Sequence, residues 1–422
     1  MTAKLLATLV KGKKLVPNCL LLTPYPLTKP KHGGQMRAAS LMQAARLSGW
    51  HVDSIGIYSS AFFPPVEWGA LDIILESPVL RDRALADIAF ADFHVGRAAS
   101  QDSNVVEKLR HLIQRLSPDV IHLEQPWAWL VLRKALPSTH NIKIIYSSHN
   151  IEWKARLPLM KRGMRTISSD TMLEATRLLE EELARTADLV LSISDVEADE
   201  IERTSGRHVI YLPAVSDLAS SRISVRPFSR FTAETNATAC RYAALMGSAY
   251  WPNVEGFFSI FPEGLGFLAQ NEQIWIAGAL GSAVQEDERF QNFISINEKR
   301  TRIIGYLNES EKSEFFSAAH CVIVPVEFGA GSKLKTADAI ASGLPVISTR
   351  HAIDGYGPIV RDALNRGVYI ADEPATFRRL VREALRNGLP GCASSVRAEL
   401  SLETMSKNWA QHINHLLVPG IA

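Results

Sequence analysis

Apolar residues in this chain gather in short runs, and the stretches between them repeat their apolar positions every three or four residues. The first runs are Cys19 to Leu22, His51 to Tyr58, Asp119 to Leu123, Lys143 to Tyr146 and Leu189 to Ser192. Runs of this kind predict buried strands, and the amphipathic stretches between them predict helices. Strand and helix in alternation imply parallel sheets wound with helices. From Ser216 to Thr238 the chain is rich in Ser, Arg, Thr and Ala and has no period, which predicts a linker. The alternation then restarts at Tyr242 to Met246, Gln273 to Ala277, Thr301 to Ile304, Cys321 to Pro325, Pro345 to Ser348 and Gly367 to Ile370. The expected architecture is α/β with two doubly wound domains, residues 1–215 and 239–397, joined by a linker at 216–238. A last amphipathic stretch, Ala398 to Leu417, reads as a helix within a closing segment 398–422.

Length supports the division, since 422 residues exceed what a single core holds. Lysine and arginine number 46 against 44 acids, a formal charge of +2, so no global field draws nucleic acid to the protein. Cys19, Cys240 and Cys321 lie in strand-like runs, where a free thiol is a small buried hydrophobe, and a reducing cytoplasm is expected. The apolar piece Leu5 to Val10 is too short for a signal core or a membrane span, and no later run approaches spanning length.

Doubly wound sheets bind ligands at the carboxyl ends of their strands, where loops meet helix amino-termini. The richest such place follows the strand predicted at Val322 to Val326. Gly329 and Gly331 let the backbone turn tightly and approach a ligand, and Leu334 to Ala341 continues as a helix. Lys333 and Lys335 add charge to the positive end of that helix, a combination suited to phosphate. In isolation, a glycine turn with solvated lysines would read the same way.

The surrounding residues carry a resemblance. Gly329-Ala-Gly-Ser-Lys-Leu-Lys-Thr-Ala-Asp-Ala-Ile-Ala-Ser-Gly-Leu-Pro-Val-Ile-Ser-Thr349 resembles the donor-site motif of nucleotide-sugar glycosyltransferases of family 4. Other pieces match in order along nearly the whole chain: Gly33-Gly34 with Arg37, Ser117-Pro-Asp-Val-Ile-His-Leu-Glu124, Ser148-His-Asn-Ile-Glu152 and Asp188-Leu-Val-Leu-Ser-Ile-Ser-Asp-Val-Glu197. Gly247 with Trp251-Pro-Asn253, and Ile304-Gly-Tyr306, complete the series. The resemblance implies the GT-B fold, two Rossmann-like domains facing each other across an interdomain cleft, with the closing helix returning to the first domain.

It also implies roles. Gly329, Ala330, Gly331, Ser332, Lys333 and Lys335 would hold the diphosphate, with Lys333 the leading contact, and Asp338 would accept hydrogen bonds from the ribose. The family usually has Glu at the position of Asp338, and a second Glu where Ala330 stands here. A subset with a Gly-x-Gly-Ser/Thr-Lys/Arg-x-Lys loop lacks that second carboxylate and still transfers sugars, and this chain resembles it. Gly33, Gly34 and Gly247 would approach the donor by backbone, and Tyr306 would lie beside the base. Arg37 would serve the phosphate or the surface. Glu124, where the family often has histidine, would orient or deprotonate the acceptor hydroxyl, or be a helix amino-terminal acid; His149 would touch the sugar or acceptor. His122 reads as core or support for Glu124.

By the same resemblance no cofactor is expected, the nucleotide sugar being a UDP- or GDP-linked substrate, and transfer would be retaining and free of metal. The acceptor would be a glycan or a lipid-linked molecule. Basic residues at 157–165 and at Lys11 to Lys14 would rest on the inner face of a membrane as a peripheral contact, or be solvated loop charges. Three other classes stay open: a degenerate GT-B protein that binds a nucleotide sugar or a protein partner without catalysis, a nucleotide-sugar epimerase, and a nicotinamide oxidoreductase. The last lacks its full Gly-x-Gly-x-x-Gly.

Overall fold

The computed structural model describes residues 16–161, 169–220, 240–329 and 333–417. They form two compact units. The first comprises residues 1–193, 197–212 and 405–422, and the second 194–196 and 213–404.

Unit 1 holds seven parallel strands: β1 (Asn18–Thr23), β2 (His51–Ser59), β3 (Ile73–Leu75), β4 (Val120–Glu124), β5 (Lys143–Ser148), β6 (Leu189–Ser192) and β7 (Val209–Tyr211), in the order β3-β2-β1-β4-β5-β6-β7. The order reverses at β1, so the ends of β1, β4 and β5 are where such a sheet places its ligand groups. Three helices build that end: α1 (Gly33–Leu47), α2 (Glu152–Lys161) and α3 (Ser169–Thr186).

Unit 2 holds six parallel strands: β8 (Arg241–Met246), β9 (Glu272–Ala277), β10 (Thr301–Gly305), β11 (Cys321–Val324), β12 (Val346–Ser348) and β13 (Val368–Ile370), in the order β10-β9-β8-β11-β12-β13. Alternate residues feed two separate cores. Ala244, Val322 and Val324 join one, while Ala243, Leu245 and Ile323 join the other. That explains why these strands read as continuous apolar runs. Helix α4 (Trp251–Ile260) follows β8, and α5 (Leu334–Ala341) follows β11. Helix α6 (Leu402–Leu417) ends the described chain and belongs to unit 1 from Met405 onward.

Helix α4 runs so close to the strand end that a Cβ on Gly256 would lie 1.8 Å from the carbonyl oxygen of Pro325. Inside a helix, Gly to Ala ordinarily stabilises. Here Gly256→Ala is expected to destabilise by about 1–3 kcal/mol through overpacking, read as a fall in melting temperature.

Several sequence expectations need correction. Strand β11 stops at Val324, because Pro325 has no N–H to continue the ladder. Cys240 lies just outside β8. The closing helix is two helices, Ser394–Ala398 and α6, broken where the Ser401 hydroxyl accepts a bond from Thr404 N at 3.1 Å and starts a new amino-terminus. Residues 221–238 of the expected linker lie outside the described residues, as do Lys11 to Lys14 and 162–165 of the basic runs. Among the described residues no helix is long and apolar enough to cross a membrane.

Candidate functional site

In unit 1 the site grows from the ends of β1, β4 and β5. Glu124 closes β4, paired in register with Ser147 of β5, and its side chain is fully buried. It is therefore not a helix amino-terminal acid. One carboxylate oxygen pairs with Nε2 of His149, just beyond β5. The other lies 2.7 Å from Nε2 of His122, whose ring is not aligned to donate a hydrogen bond. Burial alone would raise the pKa of Glu124, but its interactions with His149 and His122 outweigh it and hold the group well below the usual carboxylate range. Glu124 is thus a permanent anion that orients imidazole rather than a base poised near neutrality. His122 is clamped by ring stacking on Trp409 of α6, with centroids 5.2 Å apart and planes at 9°.

Gly33 and Gly34 open α1, capped by His32, whose Nδ1 accepts from Gln35 N. A Cβ on Gly34 would lie 3.0 Å from the Tyr25 hydroxyl, so glycine lets the helix start against that ring. Burial, then the neighbouring His149, lowers the pKa of His32 to about 4. Gly34, Tyr25, His32 and His149 are therefore brought to one end of the sheet. Arg37 does not serve the surface: it is buried, and its Nη2 donates to the Leu212 carbonyl at 2.5 Å. Glu152 is also structural, since it turns inward to pair with Arg156. Glu180, pushed up to about 8 by burial and by Glu152, accepts from the amides of Glu152 at 2.8 Å and Trp153 at 3.1 Å and caps α2.

In unit 2, Lys333 is the N-cap of α5 and supplies no side-chain cap. Its ammonium donates to the His351 carbonyl at 2.9 Å, and its own carbonyl accepts from Tyr356 Oη at 3.0 Å. Lys335 lies in the first turn of α5 and is paired with the Asn253 side-chain oxygen. Asn253 presents that oxygen because its amide nitrogen donates to the Ser248 carbonyl at 2.9 Å. Burial, then Lys333, pulls the Lys335 pKa from 10.5 down to about 7. Among the described residues no carboxylate pairs with it.

Asp338 is held by the Ser216 hydroxyl at 2.5 Å and by Lys312 at 3.7 Å, both on Oδ1. Burial raises its pKa, with Lys312 opposing. The loops after β8 and β9 meet through glycines: a Cβ on Gly278 would lie 2.3 Å from the Gly247 carbonyl oxygen. Gly329 has φ of +132°, a conformation that favours glycine. Tyr306 follows Gly305 and stands 80% exposed. Ala330, Gly331 and Ser332 lie outside the described residues. Sequence reasoning missed Ser216 and Lys312, which reach Asp338 from distant segments, and Gln125 and Trp127, whose pairing near His149 only the turn after β4 creates.

Two parallel-sheet units in this order define the GT-B fold, and solved structures of that class superpose on the chain. A sucrose-phosphate synthase from Thermosynechococcus elongatus aligns with TM-score 0.66 and 16% identity over 95% of this chain and 99% of its own. The lipopolysaccharide outer core galactosyltransferase WaaB gives 0.58 and 12% over 94% and 99%. HepE from Anabaena, in complex with UDP-glucose, gives 0.57 and 12% over 94% and 99%. No curated protein sequence matches at a significant level. The family model for Glycosyltransferase Family 4 matches residues 33–214, and that for Glycosyl transferases group 1 matches residues 242–387. Together the two matches span most of the chain and support a group 1 glycosyltransferase.

Proposed function

We propose that this protein moves a sugar from a nucleotide-sugar donor to a hydroxyl of a glycan or lipid-linked acceptor, with retention and without metal. The observation that carries the reading is Lys335, a desolvated amine with no acid partner among the described residues, at the amino-terminus of α5. A diphosphate would complete it, with Lys333 and the first amides of α5 beside it. The solved complexes of HepE with UDP and UDP-glucose favour UDP as the nucleotide.

As the bond between the anomeric carbon and the β-phosphate oxygen breaks, negative charge grows on the phosphate, and fixed amides and ammonium groups stabilise it. The acceptor oxygen attacks from the same face, and its proton passes to the departing phosphate. His149, oriented by Glu124, receives a hydrogen bond from a sugar hydroxyl. Asp338 keeps Oδ2 for the ribose, and Tyr306 lies against the base. Asp338→Ala is expected to weaken binding of UDP by about 1–2 kcal/mol while leaving pyrophosphate binding nearly unchanged, as measured by calorimetry. A lipid-linked acceptor would bring the basic run 157–165 to an anionic membrane surface, which co-sedimentation with phosphatidylglycerol vesicles tests.

A second reading, a GT-B protein that binds the donor and transfers nothing, draws support from Asp338 being engaged by Ser216. Incubation with UDP-sugars and a panel of glycan and lipid-linked acceptors separates the two. Release of UDP together with a product of unchanged anomeric configuration by proton NMR supports retaining transfer. UDP binding with no product from any acceptor supports the binder.

A further inference from the structure

Gln125, the residue after β4, is not glycine, yet its φ is +69°. Its amide still donates to the Ser147 carbonyl at 3.0 Å, so the left-handed turn begins with the strand ladder intact. Such a conformation is held only where its surroundings demand it, and it marks sites worth searching. Here it swings the side chain between Trp127 and His149.

The hydrogen-bond roles along that path follow from donor chemistry. Nε1 of Trp127 lies 3.1 Å from Oε1 of Gln125, and an indole nitrogen can only donate, so the amide oxygen must face Trp127. The amide nitrogen therefore faces His149, 3.5 Å from Nδ1. An amide NH2 also only donates, so Nδ1 must carry a lone pair. In the neutral ring the proton then lies on Nε2, pointed at the Glu124 carboxylate. Trp127 is a firm origin for this chain. It is buried, edge-on to Phe93 at 6.3 Å, with the Arg156 guanidinium 4.7 Å from its ring centre.

We propose that Trp127 and Gln125 lock His149 in the tautomer with hydrogen on Nε2, so that Nδ1 is the atom that accepts a sugar hydroxyl. Gln125 is a positioning residue, and its amide contact, longer than an ordinary hydrogen bond, is one that an O–H donor displaces. The sugar-binding half of this inference rests on the proposed transfer function, whereas the tautomer lock does not.

The test is two-bond nitrogen–proton NMR on the full chain with labelled histidine at neutral pH, the His149 signals being assigned by their loss in His149→Gln. Wild type is expected to show an unprotonated Nδ1 and a protonated Nε2. Gln125→Glu places an acceptor-only group beside Nδ1, and protonation of that nitrogen is expected. Trp127→Phe removes the donor that orients the amide, and a mixture of tautomers is expected. A protonated Nδ1 in wild type, or a His149 spectrum unchanged in Gln125→Glu, overturns the lock. The Gln125 variant alone decides this should Trp127→Phe fail to fold. In transfer assays Gln125→Glu is expected to lower kcat/KM at least tenfold with UDP affinity unchanged, and equal kcat/KM overturns the role of Nδ1. If the wild type transfers no sugar, the proposed function fails while the NMR result still judges the tautomer.

Discussion

Lys335→Met is expected to weaken binding of a nucleoside diphosphate by roughly 1–3 kcal/mol, about ten- to a hundredfold, because a desolvated charge-assisted contact is lost. The same substitution should change the pH response. In the folded protein the Lys335 amine titrates near 7 rather than at 10.5. Between those values the unfolded chain binds more protons, so this group makes stability rise with pH across that window. Below about pH 7 both states hold the proton and the full cost of a desolvated ammonium is present. A bound phosphate draws the proton back, so UDP affinity is expected to fall as pH rises above about 7, with proton uptake on binding. Calorimetry in two buffers of different protonation heat reads that uptake directly. Lys335→Met should abolish it, and an unchanged uptake in the variant would remove Lys335 from the phosphate site.

Glu124→Gln is expected to lower transfer by roughly 10–100-fold, the loss of one charge-assisted hydrogen bond that orients His149, with UDP affinity preserved. The variant keeps the shape of the side chain but removes the anion between His149 and His122. Its stability profile should change on the acid side. The wild-type carboxylate titrates below its unfolded value, so its contribution is present above that value and is lost as pH falls through the depressed folded one. The variant should therefore show a shallower loss of melting temperature on acidification. A wild-type kcat in Glu124→Gln would remove the Glu124–His149 pair from the mechanism.

The hydrophobic pattern made most of both sheets legible, because strands covered on both faces must be apolar at every position. It missed β3 and β7, three-residue strands at the two edges of the first sheet. Helix α5 matches the predicted span from Leu334 to Ala341, since its small residues and the glycine after it leave little choice of boundary. Side-chain fates were harder to read. Arg37 reads as a surface or phosphate residue from spacing alone, and only the return of the chain at Leu212 gives its guanidinium a buried carbonyl. Glu124 was legible as a site residue but not as an anion wedged between two imidazoles, because His149 reaches it across a strand pair. The motif marked Lys333 and Lys335 together. That Lys335 pairs with Asn253 is not legible from the motif, because the place of Asn253 is set by the turn before α4.

The most direct test of the donor assignment is a metal-free thermal-shift screen of the protein and its Lys335→Met variant against UDP, GDP and their sugar conjugates. A ligand of the folded state raises the melting temperature by mass action. The expected result is a rise with one nucleoside diphosphate and its conjugates, little or none with the corresponding nucleoside, and loss of the rise in Lys335→Met. No rise with any of these ligands, or an equal rise in the variant, would contradict the placement of the diphosphate at α5.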